Sequence, residues 1–377
     1  MPAFAFRHIK ALYPIFWSKA TGLTELLKQE IQSKKEQGDQ VIEVRAWSTR
    51  ATLDIIGLAG MGCDFESLKD PNNHLVRQYR QLRQEPSRTE SLILFVLSLF
   101  SRYPNSLLSR FPTKRVKQIR AASDSIRQAC AEVVATKQRE LGQEKNGDII
   151  DIALRSEVFS DANLVDQMMT FLAAGHGTTS HALQWAIYAL CKNPEMQTRL
   201  RQELRDNLPS LSNREASVSA EDIDGLPYLH AVCSETLRFY PPVPTTVREA
   251  VQDTTVAGYR IPRGTSFAIA PGVINLNPEL WGPDAGEFNP ERWMKEGCAN
   301  SGGVKSHHGF LTFLQGPRSC IGATFAKAEL ACLVAALVGR FRLELENPHK
   351  EEEMKKQGVG SAPADGVRAK FEVIDGW

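Results

Sequence analysis

Apolar residues recur at spacings of three and four along most of the chain, and that period predicts helices. The clearest runs extend from about Phe16 to Gln37, Ala46 to Gly60 and Lys114 to Leu141. Asp148 to Leu154 continues the pattern, and Ser160 with Asp161 offers a cap for a long helix over about Ala162 to Lys192. That helix should stop before Asn193-Pro194, because a residue preceding proline is pushed out of the helical region. Two more helices are expected over Glu195 to Asn207 and Leu226 to Tyr240.

Beyond Pro241-Pro242 the texture changes. Thr254-Val256, Tyr259-Ile261 and Ser266-Ile269 read as short strands, with Pro262-Arg263-Gly264 as a turn. A proline-rich loop leads to a helix-forming apolar run, Ala323 to Val338, and the tail Val367 to Val373 alternates like a strand. The pattern predicts a mainly α fold with small β-sheets (α+β). No Gly/Ser-rich or Pro-rich linker divides it, so residues 1–377 read as one domain.

Composition narrows the function. The chain has 42% hydrophobic residues and a formal net charge of +1, which allows a large core and gives no electrostatic reason for nucleic-acid binding. The seven cysteines are odd in number and dispersed, with no Cys-x-x-Cys, which fits a reducing, cytosol-facing location better than a disulfide framework. The longest apolar stretch, Leu92 to Leu97, is far short of the ~20 residues a membrane span needs. With Leu107, Leu108 and Phe111 it reads either as a buried helix or as a monotopic membrane contact running from Leu92 to Phe111.

The densest chemistry lies in Phe313-Leu314-Gln315-Gly316-Pro317-Arg318-Ser319-Cys320-Ile321-Gly322. Cys320 precedes a helix whose N-terminal N–H groups favour a thiolate. Gly316 and Gly322 let the backbone pass close to something flat, and Arg318 offers a cation for a carboxylate. A lone cysteine in such a loop is ordinarily structural. The full pattern Phe-x-x-Gly-x-Arg-x-Cys-x-Gly arises by chance in only about one in ten thousand chains of this length.

Two further stretches depart from what helix stability favours. Ala173-Ala174-Gly175-His176-Gly177-Thr178-Thr179-Ser180 puts two glycines inside the long helix, each costing about 1 kcal/mol relative to alanine. Close packing against another helix or a groove for a small ligand would both explain them. Glu235 and Arg238 stand at i and i+3, either as an exposed ion pair or as a buried pair that needs a third partner. His176, His181 and His230 show no metal-ligand spacing.

The decapeptide resembles the heme-binding signature of the cytochrome P450 family, and the order of the other motifs resembles it from Met1 to the end of the chain. The resemblance implies heme b whose iron takes Cys320 as its axial thiolate, with Phe313, Gly316, Arg318 and Gly322 around the cofactor and Arg248 on a heme carboxylate (an ordinary exposed arginine being the alternative). Ala174, Gly175 and Thr178 match the family's oxygen-activating stretch and would be its catalytic residues. Gly177 stands where the family has an acid, so proton delivery falls to water, His176 or another group. Glu235, Arg238 and Arg292, the last in Phe288-Asn289-Pro290-Glu291-Arg292-Trp293, match its structural triad. Val243 to Val247 would line the substrate pocket.

The implied activity is a heme-thiolate monooxygenase inserting one oxygen atom from O2 into an apolar small molecule, most like fungal secondary-metabolism members. Electrons would come from NADPH through a reductase docking near the Cys320 loop. Two alternatives stay open: a heme-thiolate peroxygenase or isomerase, or a non-catalytic remnant. Ala3 to Lys10 resembles the segment after the family's third helix. The chain therefore reads as N-terminally truncated, and the full-length form as associated with the endoplasmic-reticulum membrane.

Overall fold

The helical period is realised almost where the pattern puts it. A computed structural model describes residues 4–36, 40–82, 87, 89–93, 114–139, 148–156, 159–213, 217–357 and 360–377. Its helices are α1 (Phe6–Lys10), α2 (Tyr13–Glu36), α3 (Val44–Ile55), α4 (His74–Leu82), α5 (Lys114–Arg139), α6 (Ile149–Arg155), α7 (Asp161–Lys192), α8 (Pro194–Asn207), α9 (Ala220–Asp224) and α10 (Pro227–Phe239). After them come three four-residue helices, α11 (Pro271–Ile274), α12 (Pro278–Trp281) and α13 (Glu291–Met294), and then α14 (Ala323–Arg340). Asp148 caps α6 by accepting from the Ile150 and Asp151 amides, and proline at the first position starts α8 and α10.

The chain falls into two compact units, residues 1–55 with 174–377 and residues 56–173. Neither boundary is a linker. One meets a π-helical turn, Ile56–Gly60, that continues α3, and the other lies inside α7.

In the larger unit α14 is the central element. Every residue from Ala328 to Arg340 is buried, and α2, α8 and α10 pack against it. Phe16 of α2 meets Phe325 edge-on at 4.9 Å. Arg201 and Arg205 of α8 donate to the carbonyls of Val338, Gly339 and Phe341, groups that the end of α14 leaves without helical partners.

Strands β1 (Val41–Glu43), β9 (Arg368–Val373) and β6 (Phe341–Leu345) form one antiparallel sheet with β9 central. The other pairs are β2 (Thr246–Glu249) with β5 (Ser266–Ile269), β3 (Thr254–Val256) with β4 (Tyr259–Ile261), and β7 (Met354–Gln357) with β8 (Gly360–Pro363). The hydrophobic pattern located β3, β4, β5 and β9 but not the rest. β6 alternates buried and exposed residues, yet it begins at the residue after α14 ends, so no turn residue marks the change. Among the described residues no helix is long and apolar enough to cross a membrane. Leu92 and Ile93 are exposed, whereas residues 94–113, most of the Leu92 to Phe111 stretch, lie outside the described residues.

The edge of β6 is closed by one side chain. Gln197 of α8 donates to the Leu343 carbonyl at 3.0 Å and accepts from the Leu343 amide at 3.0 Å, replacing a neighbouring strand. Gln197→Leu strands both backbone groups out of water and should cost about 3 kcal/mol, read as a lower midpoint of urea unfolding with unchanged slope.

Candidate functional site

One buried carboxylate gathers the segments around the cysteine loop. Glu235 and Arg238, on adjacent turns of α10, are wholly buried, and the guanidinium grips the carboxylate in a fork at 2.7 and 2.8 Å. Arg238 spends its remaining N–H groups on the carbonyls of Asn275, Ala285 and Glu287, each at 2.8 Å, so all five donors are used. Glu235 also accepts from Arg292 Nε (3.1 Å), Trp293 Nε1 (2.9 Å) and the Asn289 amide (2.7 Å). Arg292 then binds Asp284. Burial pushes the Asp284 carboxyl up, but Arg292 and its other donors more than offset that and hold it below its ordinary value.

The network reaches the cysteine loop through two residues that sequence reasoning missed, Asn275 and Thr312. Asn275 donates to the Arg238 carbonyl and to the Thr312 hydroxyl (2.8 Å), and accepts from the Leu311 amide. Thr312 donates to the Leu237 carbonyl at 2.7 Å. Neither has a sequence signal of its own, since each works only through backbone groups brought near by folding. An aromatic group of Trp281, Trp293 and Phe310 packs beside these bonds, and Trp281 Nε1 donates to the Gly309 carbonyl.

From Thr312 the chain enters the loop. Leu314 stands at φ +57° and Gly316 at φ +75°, so two left-handed residues turn the backbone before the 3-10 turn Gly316–Arg318. The leucine is the strained one, because its Cβ crowds the backbone in that region. The Cys320 amide donates to the Phe313 carbonyl at 2.7 Å and closes the loop. Phe313 lies under the Lys327 ammonium, 5.6 Å from its ring centre. Gln315 is tied to the His307 carbonyl.

Cys320 is the one exposed cysteine of the seven, and it sits two residues before Gly322, the N-cap of α14. Two opposing effects act on its sulfur, the loop packed around it and the helix terminus that sequence reasoning expects to favour the thiolate. Desolvation by the surrounding loop pushes the thiol above its ordinary value, and the Gly322 amide pulls it back only in part. A metal ion that takes the sulfur displaces the proton itself.

The Gly-Thr stretch stays α-helical in α7. Ala174, Gly177 and Thr178 fall at i, i+3 and i+4, on one face. Ala174 is exposed, Gly177 and Thr178 are half-buried, while His176, Thr179 and Ser180 are buried. The Thr178 hydroxyl donates to the Ala174 carbonyl at 2.8 Å. A Cβ built on Gly177, Gly316 or Gly322 would meet nothing within 4 Å, so these glycines border open space. Val247 is exposed on β2, and Arg248 follows it in the same strand. Among the described residues Arg248 donates only to Thr246 and Val247 of its own strand, and Arg318 is exposed. Among the described residues neither arginine has a carboxylate partner. No group of three or more His, Cys, Asp or Glu side chains converges among them in the manner of a metal site.

Comparison with known proteins gives a consistent result. The family model described as Cytochrome P450 matches residues 1–368. The chain is 50% identical, over its whole length and 69% of the relative's, to Cytochrome P450 monooxygenase sphH of Aspergillus fumigatus. It is 40% identical to Cytochrome P450 monooxygenase FSL4 of Gibberella zeae, over the whole chain and 70% of that protein. It is 38% identical to Cytochrome P450 monooxygenase buaD of Petromyces alliaceus, over the whole chain and 71% of that protein.

Arg238→Lys removes the fork and leaves Glu235 and several carbonyls short of donors inside the core. It should destabilise the protein by about 3–5 kcal/mol in urea unfolding. Asn275→Ala should cost about 1–2 kcal/mol and speed hydrogen exchange of the Leu311 amide more than of amides within α10.

Proposed function

The chain belongs to the cytochrome P450 family, oxidoreductases that carry a heme with cysteine on the iron and take NADPH-derived electrons from a reductase; on that premise we propose that Cys320 is the iron ligand and that the 313–322 loop and the 174–178 face of α7 form the heme site. The observation that carries this is the loop itself. Of seven cysteines only Cys320 is exposed, and it is presented by a strained loop whose glycines border empty space. The residues present fit a heme, because such a group is flat, needs backbone clearance and brings two carboxylates. Gly316 and Gly322 supply clearance on the sulfur side, and Gly177 on the α7 face. Arg318 and Arg248 are the cations for the carboxylates.

When bound, heme with a thiolate ligand supplies oxygen binding and cleavage of the O–O bond. The chain's own contribution is positioning and proton control. Phe313, held under Lys327, anchors the start of the loop that carries Cys320. Ala174 and Gly175 keep the α7 face low enough for a small ligand, and the Thr178 hydroxyl, parked on the Ala174 carbonyl, is the donor that can turn toward it. Glu235, Arg238 and Arg292 hold the loop from below and act on retention of the cofactor rather than on chemistry.

The reaction proposed is insertion of one oxygen atom from O2 into an apolar small molecule, with Val243 to Val247 lining the substrate side. A role in secondary metabolism follows the fungal monooxygenases the chain is similar to. The reductase would dock near the Cys320 loop. Gly177, open and without a carboxylate, favours a second reading as a peroxygenase or isomerase, and turnover with peroxide or with substrate alone, without reductase, separates the two.

Cys320→Ser and Cys320→Ala should abolish the thiolate-type spectrum of the carbon-monoxide complex; an unchanged spectrum would refute the ligand assignment. Thr178→Ala should leave that spectrum intact while oxygen is consumed without matching product. Equal coupling in variant and wild type would remove Thr178 from the mechanism.

A further inference from the structure

Three aromatic rings pack together toward the C-terminal end of α7. Trp185 is wholly buried and lies parallel to Tyr240, with ring centres 4.2 Å apart and planes 2° apart. Tyr188, one turn further along α7, meets both edge-on, 5.6 Å from Trp185 and 6.2 Å from Tyr240. Stacking contributes about 1 kcal/mol per pair, but it leaves the polar ends of the rings unexplained. The Trp185 Nε1–H is buried without an acceptor among the described residues, a cost that phenylalanine would avoid. The Tyr188 hydroxyl, by contrast, donates to Glu351 Oε2 at 2.9 Å. Lys192 holds the Glu351 carboxyl below its ordinary value, and burial above all pushes the Tyr188 phenol up. The proton therefore rests on the phenol, with an ionised acceptor beside it.

Indole and phenol are among the side chains that give up one electron most readily, and here they run in order from the oxygen face toward solvent. Trp185 is seven residues after Thr178 in the continuous helix α7, so it stands on the same face about 10 Å further along the axis. Tyr188 shares the wall of a surface cleft with Asn347, Lys350, Glu352, Asp365 and Arg368. A missing electron does not settle on Trp185, because its N–H has no base among the described residues to take the proton. It settles on Tyr188, because an oxidised phenol is a strong acid and the Glu351 carboxylate is already in place to accept.

We propose that Trp185, Tyr240 and Tyr188 form a redox relay, with Glu351 as its proton acceptor, that drains oxidising charge from the heme site when no substrate takes it. This rests on the heme-site reading above. One electron passes from Tyr188 through Tyr240 and Trp185 to the oxidised site. The phenolic O–H bond breaks as an O–H bond forms on Glu351, which leaves a neutral phenoxyl radical and a neutral acid. A small thiol, the reductant that a reducing location holds, enters the cleft and returns one electron and one proton to Tyr188, while Glu351 releases its proton to solvent. Two such passages, with two protons from solvent, reduce the unused oxygen atom to water as two thiols join in one disulfide.

The test adds hydrogen peroxide, without substrate or reductase, to the full heme-loaded chain and to Tyr188→Phe, Trp185→Phe and Glu351→Gln. Tyr259→Phe, at an exposed tyrosine outside the relay, serves as the control. Freeze-quenched wild type should give the electron paramagnetic resonance signal of a tyrosyl radical, narrowed when the tyrosines are ring-deuterated. Tyr188→Phe should lose most of that signal and Glu351→Gln a large part of it. These variants and Trp185→Phe should bleach their heme several-fold faster, whereas Tyr259→Phe behaves as wild type. The carbon-monoxide spectrum should be the same in all of them. Glutathione should shorten the life of the wild-type radical and be recovered as one disulfide per peroxide consumed. Should Trp185→Phe fail to fold, Tyr240→Phe decides by the same signal and bleaching. A Tyr188→Phe protein with the wild-type signal or wild-type bleaching, or a radical indifferent to glutathione, overturns the proposal while the thiolate spectrum stands. Loss of that spectrum in wild type would instead strike the Cys320 assignment, and the tyrosyl signal would still report on Tyr188.

Discussion

Five hydrogen bonds converge on the Glu235 carboxylate, two of them from Arg238, whose other N–H groups reach three carbonyls up to 49 residues away along the chain. Neither charge could be buried alone. Together they are satisfied, and because their partners are backbone groups of separate loops, satisfying them fixes where those loops run. The segment from Asn275 to Trp293 has only four-residue helices of its own, so it takes its path from this cluster. The cysteine loop inherits its position through Asn275 and Thr312.

A second constraint meets the first at Cys320. α14 is buried along almost its whole length, with arginines of α8 on its last carbonyls, so its N-terminus is a fixed point. The loop is therefore held at both ends, by the ion cluster on one side and the helix on the other. Left-handed strain at Leu314 persists because both anchors over-determine the path between them. Cys320, the exposed one of the seven cysteines, is thereby carried on a rigid support while the other six are wholly or partly covered.

The helices were legible because each has to bury one face, and burial imposes a period that survives in the sequence. Caps and prolines set their ends to within a few residues, as at Asp148, Pro194 and Pro227. β6, β7 and β8 were not legible. β6 follows a helix without a break, and β7 and β8 pair with each other without a strong apolar alternation. The Phe313 to Gly322 pattern was readable for another reason, namely that its residue types have few other uses together.

What the sequence by itself determined is the class of fold and the chemical character of one loop, since periodicity and residue type are properties of the chain alone. Only the tertiary structure decided which polar groups are buried. Glu235 and Arg238 read equally well as an exposed pair until Asn289, Arg292 and Trp293 close over them. It also set the desolvation that acts on the Cys320 sulfur, because desolvation depends on every neighbouring atom in space, whereas the helix terminus is local and was visible in the order of residues.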